Sequence, residues 1–167
     1  MKYNRRKWVA RVLAATMIFS ASHALADVPL ADSLAQAGQQ AERSCVPLLL
    51  EFAADDCDYC VLLEREILAP TLLNRDYDRR VLMRKLVLDR DLELRDFTGK
   101  PVSAAQLAGR YKVFVTPTLL FVDAQGRELA ERMVGVTTLE FYGGYLDQAL
   151  DAAQDKLREQ TGCEAPH

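Results

Sequence analysis

Apolar residues along the chain change between two spacings, and the changes divide it into predicted helices and strands. Residues 30–43 carry apolar side chains three or four positions apart, as on one helix face, whereas residues 46–53 form a short apolar run typical of a strand buried on both faces. The same criteria predict six further elements: a helix from 57 to about 73, a strand over 80–88, a helix from 103 to about 109, strands over 119–122 and 127–134, and a last helix from 137. This order predicts an α/β fold, with a central mixed β-sheet and helices on both faces.

Capping and helix-breaking residues predict where the helices start and stop. Asp32 or Ser33 can cap the first helix, and Thr137, followed three residues later by Glu140, forms a capping box for the last one. Pro70 lacks the N–H that a helix interior uses, so it is expected to kink or split the second helix.

The first 26 residues follow a different pattern. Residues 1–11 hold five basic side chains and no acidic one, an apolar run follows to about residue 21, and Ala24-Leu25-Ala26 ends it. This is the three-part arrangement of a secretory signal peptide. The apolar run is shorter than the roughly 20 residues that a membrane-spanning helix needs. We therefore expect residues 1–26 to be cleaved and residues 27–167 to form one exported domain.

The charge of the chain argues against a nucleic-acid partner. The full sequence has 21 basic and 24 acidic residues, and loss of the signal would change its net charge from −3 to −8. An acidic domain repels polyanions, and no basic patch with interleaved aromatic residues is present.

Cys57-Asp58-Tyr59-Cys60 is the motif that carries chemistry. Two thiols three residues apart at a helix start can close a disulfide and reopen it, and the helix N-terminus favours the thiolate of the first. Cys57 is therefore predicted to attack a substrate disulfide, and Cys60 to resolve the mixed disulfide that forms.

Other interpretations of this motif are a metal site and an inert disulfide. A zinc site needs two further ligands, but the two histidines are His23, in the signal, and His167, and Cys45 and Cys163 form no second C-x-x-C. A c-type haem site needs histidine where the chain has Val61. We expect no metal and no other cofactor; an inert structural disulfide remains an alternative.

Two stretches resemble the thioredoxin family. Residues 48–57 follow the family's order of apolar strand, acid and C-x-x-C without a gap, and Thr116-Pro117-Thr118 before an apolar strand looks like its cis-proline segment. With both signatures, the chain is identified as a member of the thioredoxin fold over roughly residues 30–160. The C-x-Y-C motif and the long segment 89–117 are most similar to the periplasmic SoxW-like thioredoxins.

The resemblance implies roles for several residues. Glu51 stands where the family has an acid that helps to move the proton of the second cysteine, and Lys85 stands where a lysine often accompanies that acid. Pro117 should face the cysteines in cis form, so that the backbone of Thr116 pairs with an extended substrate peptide. The implied substrate-binding residues are Thr116, Pro117, Asp58 and Tyr59.

The sequence departs from cytoplasmic thioredoxins beside the cysteines. Asp56 replaces their usual tryptophan, and Asp58-Tyr59 replaces their usual Gly-Pro. Two acids beside Cys57 disfavour its thiolate and oppose the helix dipole. The redox strength of cytoplasmic thioredoxins is therefore not carried over to this chain.

Cys45 and Cys163 form a second pair of cysteines. In a thioredoxin fold the strand after Cys45 runs toward the active site and the last helix runs away from it, so both cysteines should lie at the opposite pole. The resemblance thus implies a structural disulfide closing a loop of about 120 residues. Two unpaired thiols, or a role in passing electrons, are the alternatives.

These observations lead to one functional hypothesis with two rivals. The hypothesis is a monomeric periplasmic thiol–disulfide oxidoreductase, a reductase or exchanger of protein disulfides, with no cofactor. The resemblance implies a membrane electron transporter that re-reduces it. The rivals are an oxidase that donates disulfides and a non-catalytic binding module, in which the Cys57 sulfur would be shielded from solvent.

Overall fold

The computed structural model describes residues 27–163, so the predicted signal segment, its cleavage site and His167 lie outside the described residues. The helices are α1 Leu34–Ser44, α2 Asp58–Leu63, α3 Ala69–Leu73, α4 Ala104–Tyr111 and α5 Leu139–Thr161. The strands are β1 Leu48–Ala53, β2 Leu82–Val87, β3 Glu93–Arg95, β4 Pro101–Ser103, β5 Thr118–Val122 and β6 Met133–Val134. A π-helical turn, Glu64–Leu68, joins α2 to α3, and a 3₁₀ turn, Arg75–Arg79, precedes β2.

The main sheet has four strands in the order β2-β1-β5-β6, with β1 parallel to β2 and β5 antiparallel to β1 and β6. All six residues of β1 are buried, as its mostly apolar sequence predicts, and they include the acid Glu51. Leu48, Leu50 and Phe52 pack with residues of α1 and α4, whereas Leu49 packs with residues of α2 and α5 on the other face. A mixed sheet between two helical layers confirms the predicted fold class.

The start of α1 and the interruption of the second helix follow the sequence predictions. Ser33 caps α1, since its hydroxyl accepts a hydrogen bond from the Gln36 N–H at 3.3 Å. The second helix stops at Leu63, and the wide π-helical turn precedes α3, which has Pro70 in its first turn. Because proline cannot donate a backbone hydrogen bond, the wide turn lets the helix pass Pro70 with its apolar face still covering the sheet.

The predicted strand over residues 127–134 is mostly absent, and only Met133–Val134 pairs regularly with β5. The turn before it is held by Asp123, whose carboxylate accepts hydrogen bonds from the Gln125 and Arg127 N–H groups and from the Arg127 guanidinium. Arg132 donates to the Tyr111 carbonyl on α4 and not to the sheet. Glu128 still forms an isolated bridge with Val122, and the Leu129 N–H donates to the Phe121 carbonyl at 2.8 Å, so the regular ladder is lost only between Leu129 and Met133.

The predicted capping box of the last helix is also wrong. The helix begins at Leu139 with Thr138 as its N-cap residue, and the Thr138 side chain makes no capping hydrogen bond. The sequence further missed the hairpin of β3 and β4, where the Asp96 carboxylate accepts from the N–H groups of Thr98 and Lys100 and so fixes the turn.

Candidate active site

The C-x-x-C motif lies at the start of α2, where the loop after β1 delivers it. Cys57 is the N-cap residue, and its sulfur accepts a hydrogen bond from the Cys60 N–H at 3.1 Å. The two cysteines form a disulfide with a Cα–Cα distance of 5.2 Å. Cys57 is half-buried, whereas Cys60 is only 3 % exposed. A partner thiol can therefore approach Cys57 far more readily than Cys60.

Asp55, in the loop just before this motif, forms a salt bridge with Arg90, a residue that sequence reasoning missed. The Arg90 guanidinium donates hydrogen bonds of 2.6 to 3.0 Å to both Asp55 carboxylate oxygens, and the Asp55 N–H donates to the Asp89 carboxylate at 3.0 Å. These contacts tie the loop after β2 to the loop before Cys57. The hydrogen bonds from Arg90 hold the pKa of Asp55 below its usual value.

Glu51 lies on the central strand β1, on the sheet face covered by α2 and α5. It is 0 % exposed, and within the described residues neither carboxylate oxygen has a hydrogen-bond partner. Burial, followed by the negative charge of Glu64, raises the pKa of Glu51 to about 8, and the charge of Lys85 opposes this rise. The carboxyl group therefore keeps its proton near neutral pH.

Lys85 lies directly opposite Glu51 in the pairing of β1 with β2, but its ammonium binds another acid. Its Nζ donates to both carboxylate oxygens of Glu64 at 2.7 Å. Glu64 also accepts a hydrogen bond from the Val28 N–H at 2.9 Å. Sequence reasoning placed Lys85 with Glu51 and missed Glu64, which lies seven residues after Cys57. The pairing of Glu64 with Lys85 is evident only once the packing of the helix on β2 is known.

The Thr116–Pro117 segment lies at the same end of the sheet as Cys57. Because β5 runs antiparallel to β1, Thr118 at its start pairs with Phe52 near the end of β1. The Thr116–Pro117 peptide bond is cis, and the Pro117 carbonyl accepts from the Gly135 N–H at 2.8 Å. Within residues 27–163, the main-chain N–H and C=O of Thr116 make no hydrogen bond. They are thus available to another chain.

Exposed side chains surround these elements. Asp58 and Tyr59 are exposed between the cysteines. Two residues that the sequence did not single out, Phe114 and Val115, are 86 % and 51 % exposed just before Thr116. An exposed phenylalanine in a loop can indicate a binding surface, but its exposure is known only from the fold.

The structure joins Cys45 and Cys163 in a second disulfide, with a Cα–Cα distance of 5.6 Å and a sequence separation of 118. Cys45 ends α1 just before β1 begins, and Cys163 follows α5. Since Cys57 follows the other end of β1, the two disulfides lie at opposite poles of the domain. Gln154 on α5 donates to the Cys45 carbonyl at 2.9 Å and adds a further link at this pole.

Within residues 27–163, no three His, Cys, Asp or Glu side chains come together as a set of metal ligands. None of the helices in the same residues is long and apolar enough to cross a membrane.

Comparisons with known proteins agree with the fold. The thiol:disulfide interchange protein DsbD of Ralstonia nicotianae is 33 % identical over 110 residues, which are 66 % of this chain and 16 % of DsbD, so the chain spans about a sixth of that relative. A solved structure titled DsbH oxidoreductase is 23 % identical with a TM-score of 0.55, covering 76 % of this chain and 88 % of that one. Thioredoxin O2 of Arabidopsis thaliana is 21 % identical with a TM-score of 0.48, covering 72 % and 91 %.

A family model described as a thioredoxin-like domain matches residues 30–150. This match, the DsbD relative and the Cys57–Cys60 disulfide fit thiol–disulfide exchange. The closer similarity to SoxW-like thioredoxins stays a prediction. The match covers well over half of the sequence, and the chain belongs to the thioredoxin-like domain family.

Proposed function

We propose that the protein is a periplasmic thiol–disulfide oxidoreductase that reduces or exchanges disulfides of other proteins. The observation that carries the proposal is the unequal exposure of the two cysteines, half-buried Cys57 beside Cys60 at 3 %. An attacking sulfur has to reach a substrate, whereas a resolving sulfur has to reach only its neighbour.

The reaction transfers two electrons and two protons from the dithiol to a substrate disulfide. The Cys57 thiolate attacks one substrate sulfur, which forms a mixed disulfide and releases the other sulfur as a thiolate that takes up a proton. Cys60 then gives up its proton and attacks the Cys57 sulfur, so that the protein disulfide forms and the second substrate thiol leaves.

Glu51 is proposed to carry the proton of Cys60. When a reductant opens the protein disulfide at Cys57, Cys60 leaves as a thiolate, and a protonated Glu51 can neutralise it. When Cys60 resolves a mixed disulfide, the Glu51 carboxylate takes the proton back. A pKa of about 8 suits both directions near neutral pH. Lys85 is proposed to act on this proton transfer indirectly, through its charge.

Thr116 and Pro117 are proposed to present the substrate, with Asp58 and Tyr59 beside it. The unpaired main-chain groups of Thr116 support an added substrate strand, because main-chain hydrogen bonds hold an extended peptide whatever its sequence. Tyr59, between the cysteines, and Phe114, two residues before Thr116, are exposed and supply apolar contact area. Such a surface suits unfolded or loosely folded protein substrates.

Reduction is the direction that the charges favour. Asp56 and Asp58 are exposed beside Cys57 and disfavour its thiolate, which makes the reduced form less stable relative to the disulfide. Strong oxidants owe their potential to a stabilised reduced form, the opposite case. We further propose a signal peptide over residues 1–26, from their basic and apolar pattern, and, from the family resemblance, a membrane electron transporter that restores the dithiol.

The proposal is tested by the reduction of a protein disulfide with dithiothreitol as electron source. We expect the protein to accelerate it, Cys57→Ser to lose the acceleration, and Cys60→Ser to accumulate a mixed disulfide through Cys57. A reduced protein whose Cys57 resists an alkylating agent would instead indicate a non-catalytic binding module.

The direction is tested by the reduction potential of the Cys57–Cys60 pair at equilibrium with glutathione or dithiothreitol. Proteins with this chemistry range from about −270 mV for thioredoxin to about −120 mV for the strongest oxidants. A value near the lower end supports a reductase, and a value near the upper end would show that the protein donates disulfides.

A further inference from the structure

The ammonium of Lys85 binds Glu64 and not Glu51, the acid that lies directly opposite it in the sheet. Its own strand pairs it with Glu51, yet both of its close contacts, at 2.7 Å, are to Glu64. The Lys85 and Glu64 side chains are 17 % and 18 % exposed, so the pair is partly sheltered from solvent. Glu64 is anchored further by the Val28 N–H.

We propose that Glu64 is a positioning residue of the thiol–disulfide site: by holding the Lys85 ammonium, it leaves Glu51 without a counter-ion and able to keep a proton for Cys60. The part of this statement that concerns Cys60 rests on the proposed function. The charge arrangement itself rests on the contacts of Glu64 and on the absence, within the described residues, of any hydrogen bond to the Glu51 carboxylate.

The remaining neighbours of Glu51 do not supply a compensating charge. Leu119 of β5 pairs with Glu51 on the side away from Lys85 and is apolar. Tyr142 of α5 lies on the same face with its hydroxyl buried and without a partner within residues 27–163. Burial and the nearby Glu51 raise the pKa of Tyr142, so it is neutral near pH 7. Cys60 is bound in the disulfide. The charged groups acting on Glu51 are therefore Glu64 and Lys85.

The two members of this ion pair act on Glu51 with opposite sign. Removing the Glu64 charge takes away a repulsion and also releases Lys85 toward Glu51, and both changes favour the Glu51 carboxylate. Removing the Lys85 charge takes away an attraction and leaves Glu64 unneutralised, and both changes favour the protonated acid. An ion pair that only holds the helix on the sheet predicts no such opposition, because breaking it from either side has the same structural result.

The test is an infrared pH titration of the protonated carboxyl band of Glu51 in the oxidised protein, with the band assigned by its loss in Glu51→Gln. We expect Glu64→Gln to lower the midpoint by about one pH unit or more and Lys85→Met to raise it. Glu66→Gln is the matched control: it is a glutamate of the same turn, exposed and paired with Arg65, and it should leave the midpoint unchanged.

Shifts of the same sign in Glu64→Gln and Lys85→Met, or no shift in either, would overturn the proposal. Should Glu64→Gln not fold, Lys85→Met decides alone, and a lowered or unchanged midpoint there counts against the proposal. The titration uses no substrate. A protein that shows the opposed shifts but fails to reduce disulfides would therefore refute the proposed function and leave the charge arrangement intact.

Discussion

The two disulfides lie at opposite poles of one domain and differ in the properties that decide whether such a bond is opened or kept. Cys57 and Cys60 are three residues apart, at a helix start, with one member half-exposed. Cys45 and Cys163 are 118 residues apart and join the end of α1 to the end of α5. The first bond constrains almost none of the chain, and the second constrains nearly all of the domain.

The difference explains how the domain can open and close one disulfide and still stay folded. In the chain-entropy description a long loop contributes up to about 4–5 kcal/mol to stability, and a loop of a few residues contributes much less. Opening Cys57–Cys60 therefore costs the fold little, while the distant bond keeps the scaffold intact in both redox states.

The largest expected effect comes from Cys57→Ser, which should reduce disulfide exchange to the uncatalysed rate while leaving the fold in place. Turnover of a protein disulfide measures the exchange rate, and circular dichroism shows whether the fold is kept. The matched control is the double variant Cys45→Ala with Cys163→Ala, which should keep its exchange activity at temperatures where it is folded. Loss of activity in that folded control would mean that the second disulfide takes part in the chemistry.

The same double variant should show the second-largest effect, on stability. We expect its free energy of unfolding to fall by up to about 4–5 kcal/mol, because the unfolded chain regains the freedom that the long loop removed. Urea unfolding of the oxidised proteins measures the difference. A decrease no larger than that of Cys57→Ser would contradict the division of roles between the two poles.

A smaller effect is expected in the pH dependence of stability. The pKa of Glu51 is about 8 in the folded protein against an ordinary value of 4.5, so between these values the folded state holds a proton that the unfolded state has lost. The free energy of unfolding should therefore fall by a few kcal/mol as the pH rises through this window, and Glu51→Gln should lack this fall. Urea unfolding at about pH 5 and about pH 9 compares the two proteins. Parallel pH dependences would show that Glu51 is not buried as an uncharged acid.

The smallest effect is expected from Phe114→Ser. Because Phe114 is 86 % exposed, stability should change by less than about 0.5 kcal/mol. The KM for an unfolded protein substrate should rise several-fold, while the rate with a small disulfide such as oxidised glutathione stays the same. Leu73→Ser, at an exposed apolar position at the end of α3, is the control that should change neither. Equal effects of the two variants would remove Phe114 from the substrate surface.

The sequence predicted the parts of the fold that rest on local signals. The short, mostly apolar run over residues 46–53 indicated a strand buried on both faces, and β1 is buried throughout. Ser33 and Pro70 marked a helix start and a helix interruption, because caps and missing N–H groups act on their own neighbours.

The sequence failed where partners distant in the chain decide the outcome. The segment 127–134 was predicted as one strand, but Arg132 donates to the Tyr111 carbonyl on α4, and regular pairing with β5 resumes only at Met133. Lys85 could be placed beside Glu51 by resemblance, but its bond to Glu64 depends on how α2 and the π-helical turn pack over β2. Arg90 likewise reaches Asp55 from another loop, a contact that no spacing rule indicates.

The link between Cys45 and Cys163 also turns most of the chain into a covalent ring. A protease that cuts one peptide bond between these residues leaves two fragments still joined, and the cut ends stay close enough to remain packed. Exposed connections, such as residues 89–92 between β2 and β3, can therefore be cleaved without separating the two parts of the domain. The distant disulfide therefore keeps the two fragments of a singly cleaved domain together, in addition to stabilising the intact fold.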